Sequence, residues 1–385
     1  MNTTQTPEST ASPATPTGPT RYTGEVVYIY AFDIAYDTSR RPISQLLGQP
    51  VEHFSMDASR RSPRQLSFHR PEMVRLPAME RVGPLGPVQV QRVIKFLSIG
   101  AISITVRVPF AANCLPDLIA FHDLQFSDGS LQDHVYQLAH EVVAELKGRL
   151  QSPHPQWREE EAYTVFCFAA PISGAAGQTI TALQWFQKHR RQVAGLLTQE
   201  LETERLSLQE ADESTARYLS YYENDLVVID WDAALLIDDA RAFDETLHIL
   251  ELANLQLTEL EAYDRLLDDA LERSYRDLSH DPLRPRRDIL RELREIRIDM
   301  ARFNDELSNT TKFFGDWHLA RIYEKISTRL HLAEWHRTIE GKLRILNDLY
   351  QILKHDQTNR WMMILEATIV LLFIIDLVIL FVGLK

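Results

Sequence analysis

The chain has 385 residues, 45% of them hydrophobic and 25% charged, a composition that fits one or two globular domains and excludes a wholly disordered or multi-span protein. Its formal net charge of −13 speaks against a nucleic-acid-binding surface spread over the molecule, so no direct nucleic-acid binding is expected. Cys114 and Cys167, far apart in apolar surroundings, imply neither a disulfide framework nor a zinc site, and both are expected to be buried thiols.

Residues 1–20 are rich in Ser, Thr and Pro with no apolar run. They are expected to form a disordered tail that is neither a secretory signal nor an arginine-rich transit segment. The crowded β-branched and aromatic residues from Val26 to Tyr36 predict a strand. The Pro- and Arg-containing stretch from Arg60 to Pro87 predicts a loop, and "VQRVIKFLSIGAISITVRVPF" predicts one or two strands hinged at Gly100. Helices are expected at about 115–125 and 130–150, where Leu131, Val135, Leu138, Val142 and Leu146 recur at helical spacing. "AYTVFCFA" predicts a strand, "TITALQWFQKHRRQVAGLLTQE" a helix and "NDLVVIDWDAALLID" a further strand leading into a long helix. That region is acidic, with a net charge of about −16 over 200–277 against about +3 over 281–360, and the acidic run predicts a solvated helix face. After the prolines of "SHDPLRPRRD", helix is expected over about Arg287–Glu306 and again from about His318 onward, with a pause near "NTTKFFGDW". The residues at that pause, Phe314, Asp316, Trp317, His318 and Arg321, read as an inter-helix contact.

The last helix carries a seam. Leu332, Ile339, Leu346 and Leu353 are spaced by seven, and His336, Leu343 and Tyr350 fill the alternate places, the spacing of an a/d stripe. This face packs either on earlier helices of the same chain or on a second copy. The same register carried forward places Ile364, Ala367, Leu371, Ile374, Val378 and Phe381 on the seam.

From Met362 to Leu384 the side chains are almost all apolar, and about 23 residues at ~1.5 Å each suffice to cross a hydrocarbon core. Lys342, Arg344, Lys354 and Arg360 precede this span and only Lys385 follows it, so the bulk of the chain is expected on the cytosolic side, held by a tail anchor. Two carboxylates interrupt the span. Glu366 lies about one turn inside it, whereas Asp376 sits near the midplane, where an insertion scale assigns roughly 2.5–3.5 kcal/mol to such a group. Ten residues apart means about 80° of rotation and ~15 Å of rise, so the two cannot share one ligand on a single chain.

The search for chemistry is mostly negative. "SGAAGQT" lacks the lysine and hydroxyl of a phosphate-binding loop, "HEVVA" at His140 has no second histidine for zinc, and neither G-x-S-x-G nor G-x-G-x-x-G occurs. Asp230 and Asp232 in "VIDWDAAL" are better read as a solvated strand end than as ligands of a hard cation. No catalytic residue, metal or cofactor is expected.

The ordered series "YTVFCFA", "YYENDLVVIDWDAALLID", "FFGDWHLARIYEKISTRL", "KLRILNDLYQILKHD" and "ILEATIVLLFIIDLVIL" resembles the family named for its yeast "required for meiotic nuclear division" member, in its bacterial branch. The resemblance implies a membrane-bound protein of a family with no established enzyme activity. It places Glu366 at the family's acidic position near the start of the span, and it makes a ribosome or other cytosolic assembly the partner. Magnesium channels of the CorA type share the acidic α/β part and the C-terminal spans, but they need a second span and a Gly-Met-Asn loop that the sequence does not contain.

The expected fold class is α+β: a mixed α/β cytosolic domain over 21–280, a long helical, coiled-coil-like stalk over 281–360 and one transmembrane helix over 361–385. The expected function is that of a single-pass, oligomeric scaffold or tether in the cell inner membrane, or in the mitochondrial inner membrane if a presequence has been lost. It binds the lipid bilayer and a cytosolic partner and is not an enzyme. The competing readings are an ion-conducting or proton-linked assembly using Glu366 and Asp376, and an enzyme housed in the α+β domain.

Overall fold

A computed structural model describes residues 22–38, 43–53, 72–96, 100–153, 161–172, 180–280, 298, 301 and 317–382. The expected tail at 1–20, the "SGAAGQT" stretch, most of the helix expected at 287–306, and Phe314 and Asp316 lie outside the described residues. So do the side chains of Tyr350 and Leu353.

The centre of the fold is a nine-stranded mixed sheet. Its strands are β1 (Tyr22–Asp33), β2 (Glu52–His53), β3 (Glu72–Gly83), β4 (Gly86–Phe96), β5 (Ala101–Ala112), β6 (Glu161–Ala169), β7 (Tyr218–Leu219), β8 (Leu226–Ile229) and β9 (Ala233–Asp238). They lie in the order β7-β8-β9-β6-β1-β5-β4-β3-β2. All neighbours are antiparallel except β6 and β9, which run parallel with Val165 opposite Ala234. The run "VVYIYAF" in β1 is apolar at every position because both faces of this strand are covered. Val26, Tyr28, Tyr30 and Phe32 point into one core and Val27 and Ile29 into another. Gly24 of β1 is required by the pairing with β6, since a Cβ there would stand 1.8 Å from the Cys167 carbonyl oxygen.

One face of the sheet is packed by α1 (Leu131–Leu146), α2 (Ala182–Leu197) and a 3-10 turn, Pro116–Phe121. Both helices start at capping boxes, Ser130 with Asp133 and Thr181 with Gln184, which satisfy otherwise orphaned N–H groups. Trp185 and Phe186 of α2 bury completely against Tyr22, Phe166 and Phe168. After the short α3 (Leu208–Ser214), the chain crosses the sheet through β7–β9 and covers the opposite face with α4 (Phe243–His280), α5 (Trp317–Arg329) and the start of α6 (Leu332–Val382). His331, at a φ of 51°, forms the corner between α5 and α6.

Several expectations are corrected. Glu72–Gly83, within the stretch expected to be loop, is a strand paired with β4. Its pattern is hidden because only Met73 and Val74 are fully buried, and Pro77 falls where the register shifts between Leu76 and Met79. "NDLVVIDWDAALLID" is two antiparallel strands, β8 and β9, joined by a turn at Asp230–Asp232. Cys167 is buried, but Cys114 is exposed in the turn after β5, where its N–H donates to Asp117 at 3.3 Å. The acidic α4 is not a solvated helix throughout: Glu251 and Glu259 are buried with His248, Asn254 and Gln256.

The residues expected to form a stalk contribute to the same core as the sheet. Leu319, Ile322 and Ile326 of α5, and Leu332, Ile339 and Leu346 of α6, cluster with Val27, Ile29, Val165 and Leu236. Gly100, the expected hinge, has a φ of 93° at the start of β5, a conformation that favours glycine.

Candidate functional site

Three places concentrate polar or exposed chemistry. The first is the C-terminal half of α6. Trp361–Ile379 is 19 residues long and apolar enough to cross a membrane, and none of it is buried in the protein. Leu371, Phe373 and Ile379 are exposed together with Glu366 and Asp376. The seam behaves differently along its length. Leu332, Ile339 and Leu346 are buried against α4, and Leu343 packs at the edge of that cluster. Lys342 fastens the same stretch to α4 through Asp264 at 2.7 Å and Asp268 at 2.6 Å, and those two carboxylates raise its pKa against the opposing effect of desolvation. The structure therefore places the first part of the seam, Leu332 to Leu346, in the core of the same chain, and leaves Ile364, Leu371, Ile374 and Val378 exposed.

The second place is a pair of buried ionic clusters that bind the helical layer to the sheet. Glu251 of α4 pairs with Lys95 of β4, accepts from Ser103 Oγ at 2.6 Å and from Thr105 Oγ1 at 3.4 Å, and has His248 Nδ1 3.6 Å away. Burial alone raises the pKa of this carboxyl, but Lys95 and His248 more than offset it and hold Glu251 well below the usual carboxylate range. At the other end of the layer, Arg329 of α5 pairs with Asp230 and lies 3.4 Å from Glu213. Its guanidinium stacks 5.0 Å over Trp231, whose ring lies 5.1 Å from that of His331. Asp230, expected at a solvated strand end, is instead buried, and desolvation raises its pKa against the pull of Arg329. Of the expected inter-helix residues, Trp317 is exposed, His318 lies 5.5 Å from the Tyr221 ring and Arg321 is exposed. Trp317 and Arg321 thus reach solvent while His318 packs beside the β7–β8 turn.

The third place is a cleft of about 320 Å³ between the β3–β4 hairpin and α1. Arg81 and Arg92 enter it from the hairpin and His134 from the first turn of α1. Arg81 Nη2 lies 3.2 Å and His134 Nε2 3.5 Å from the same oxygen of Asp128. The cleft is missing from the sequence expectations because β3, the strand of the hairpin that carries Arg81, was expected to be loop. Val90, Arg92 and Ile94 alternate on one face of β4, so an arginine in an otherwise inward apolar register was the signal available. No group of three or more His, Cys, Asp or Glu side chains arranged to hold a metal occurs among the described residues.

Comparison with known proteins gives a family and corrects the expected one. The family described as "Uncharacterized protein MJ0711, N-terminal domain" matches residues 23–244, more than half of the chain, and the protein belongs to this family. The uncharacterized protein MJ0711 of Methanocaldococcus jannaschii is 23% identical over 222 residues, which are 57% of this chain and 65% of that protein, just under two thirds of its length. No solved structure matches. The resemblance to the "required for meiotic nuclear division" family is therefore overturned. The matched region holds the whole sheet with α1–α3 and ends at the first residues of α4.

Proposed function

We propose that the protein is a single-pass membrane tether whose α+β body stands on the cytosolic side of a cell membrane and binds a partner there rather than turning over a substrate. The observation that carries this reading is the continuity of α6, whose first turns belong to the body's core while Trp361–Ile379 is apolar and exposed on all sides. A helix apolar all round has no soluble neighbour to satisfy it and is stable in hydrocarbon, where its backbone bonds are already made within the helix. A body welded to its anchor transmits position and orientation, which is what a tether requires. The basic residues Arg344, Lys354 and Arg360 ahead of the span support the cytosolic placement.

The chain associates with further copies through the span itself. Leu332, Ile339 and Leu346 are occupied by α4, so the outer surface of 361–379, including Asp376, is left for contact between helices in the membrane. Polar contacts of that kind contribute about 0.6–2 kcal/mol. The test is protease treatment of right-side-out spheroplasts carrying the full chain. The body should survive intact until the membrane is opened, and cleavage before that would reverse the topology.

A further inference from the structure

The cleft between the β3–β4 hairpin and α1 has a composition that the tether reading does not use. Its floor is the sheet face on which Arg92 stands beside Val106 of β5, its cross-strand partner, and its wall is the Leu131, Val135 and Leu138 stripe of α1. An arginine on such a floor gives up hydration, and the protein returns little of it. Among the described residues Arg92 Nε is buried with no hydrogen-bond partner, and Nη2 makes only a long 3.4 Å bond to the Pro77 carbonyl. A guanidinium offers five donors in a fixed fork, so most of this one remains unused.

Arg81 opens into the same cleft. Its like charge, after desolvation the largest influence, lowers the pKa of Arg92, with Glu141 opposing. Two guanidinium groups that repel across a partly apolar cavity are both relieved by one anion between them. Asp128 does not fill that role: it is exposed at the rim, where Arg81 and His134 share one of its oxygens. Glu141 is also exposed. Carboxylate and phosphate oxygens match the fork of an arginine, and the apolar wall accommodates a hydrocarbon body.

We propose that this cleft is a binding site for a small organic oxyanion, its charged group held by Arg92 and Arg81 and its apolar part lying on Val90, Val106 and Leu138. The site is independent of the membrane reading, since none of these residues belongs to α6.

The experiment is calorimetric titration of the purified full chain in detergent micelles with benzoate, phenyl phosphate, inorganic phosphate and benzyl alcohol at matched ionic strength. Saturable one-to-one binding is expected for benzoate or phenyl phosphate, the better of the two identifying the oxyanion, with weaker binding of inorganic phosphate and none of benzyl alcohol. Arg92→Gln should weaken the better probe by about ten- to a hundredfold, the equilibrium equivalent of one hydrogen bond to a charged group, while keeping the thermal midpoint of the body. If Arg92→Gln does not fold, Arg92→Lys keeps the charge and removes the fork, and weaker binding is expected there too. Absence of saturable binding by both benzoate and phenyl phosphate would overturn the proposal. Binding of benzyl alcohol as tight as that of the anions would do the same, as would unchanged affinity in the folded Arg92 variants.

Discussion

Leu346 and Leu371 lie on one uninterrupted helix, yet Leu346 is 1% exposed and Leu371 57%. The difference follows from how apolar residues are distributed around the helix, not from how many there are. From Leu332 to Leu346 the buried residues recur every seventh position and the faces between them carry Glu334, Arg337, Glu340 and Arg344, so one stripe meets α4 and the rest meets water. From Trp361 to Ile379 every face is apolar apart from Thr368, Glu366 and Asp376, and no single packing partner could cover it. The first stretch takes its stability from the fold of its own chain, and the second is long and apolar enough to cross a membrane. Under the proposed tether, the anchor is an extension of the core rather than an appendage on a linker.

The comparison is broken most completely by removing 361–385. The truncated chain should move from the carbonate-resistant membrane fraction to the soluble fraction with its body folded, because the described contacts of 317–346 lie within the body. Retention in the membrane would show that another segment holds it there.

Acid should separate the two stretches without any deletion. Because the pKa of Glu251 is depressed on folding, this group stabilises the native state fully above the unfolded carboxylate value near ~4.3, and the contribution is lost as pH falls below that value. The body should loosen in acid while 361–379 stays inserted, and Glu251→Gln should flatten the acid limb of the stability profile. Lys95→Met at neutral pH should cost about 3–5 kcal/mol, the penalty for leaving a buried charge without its partner, read by urea unfolding followed through tryptophan fluorescence.

Truncating one side chain on either stretch sharpens the contrast. Ile339→Ala or Leu346→Ala should destabilise the body by about 2–5 kcal/mol, and Leu371→Ala should leave body unfolding within about 0.5 kcal/mol of the parent. A comparable loss from Leu371→Ala would mean that the apolar stretch also packs on the protein. The smallest effect is expected at Asp376. Replacement by Leu should weaken cross-linking between chains in membranes by an amount equivalent to about 0.6–2 kcal/mol, while replacement by Asn keeps it. Ion flux into liposomes that Asp376→Asn abolished would instead favour a conducting pathway.

Much of this architecture was legible where one segment satisfies itself. "VVYIYAF" and "AYTVFCFA" announce strands, the Leu131–Leu146 spacing announces α1, and the long apolar C-terminal helix announces itself by length. What stayed hidden depends on partners far along the chain. Lys95 and Glu251 are 156 positions apart, and nothing local marks Asp230 as the partner of Arg329 rather than of solvent. Glu72–Gly83 was hidden because most of the strand lies beyond the core, so its outward and inward residues do not differ enough in polarity to show a period of two. That single misreading also concealed that Arg81 and Arg92 line one cleft.

The two environments of α6 are tested most directly by a spin-label scan along 332–379 of the full chain in liposomes, comparing collision with oxygen and with a water-soluble nickel complex. Labels at 339 and 346 should be shielded from both reagents by the packed body, whereas labels from 364 to 378 should exclude nickel throughout and meet oxygen everywhere except on the face around Asp376 that meets the next copy's helix. Nickel reaching the 364–378 positions would show that water surrounds this stretch and would contradict its placement in lipid.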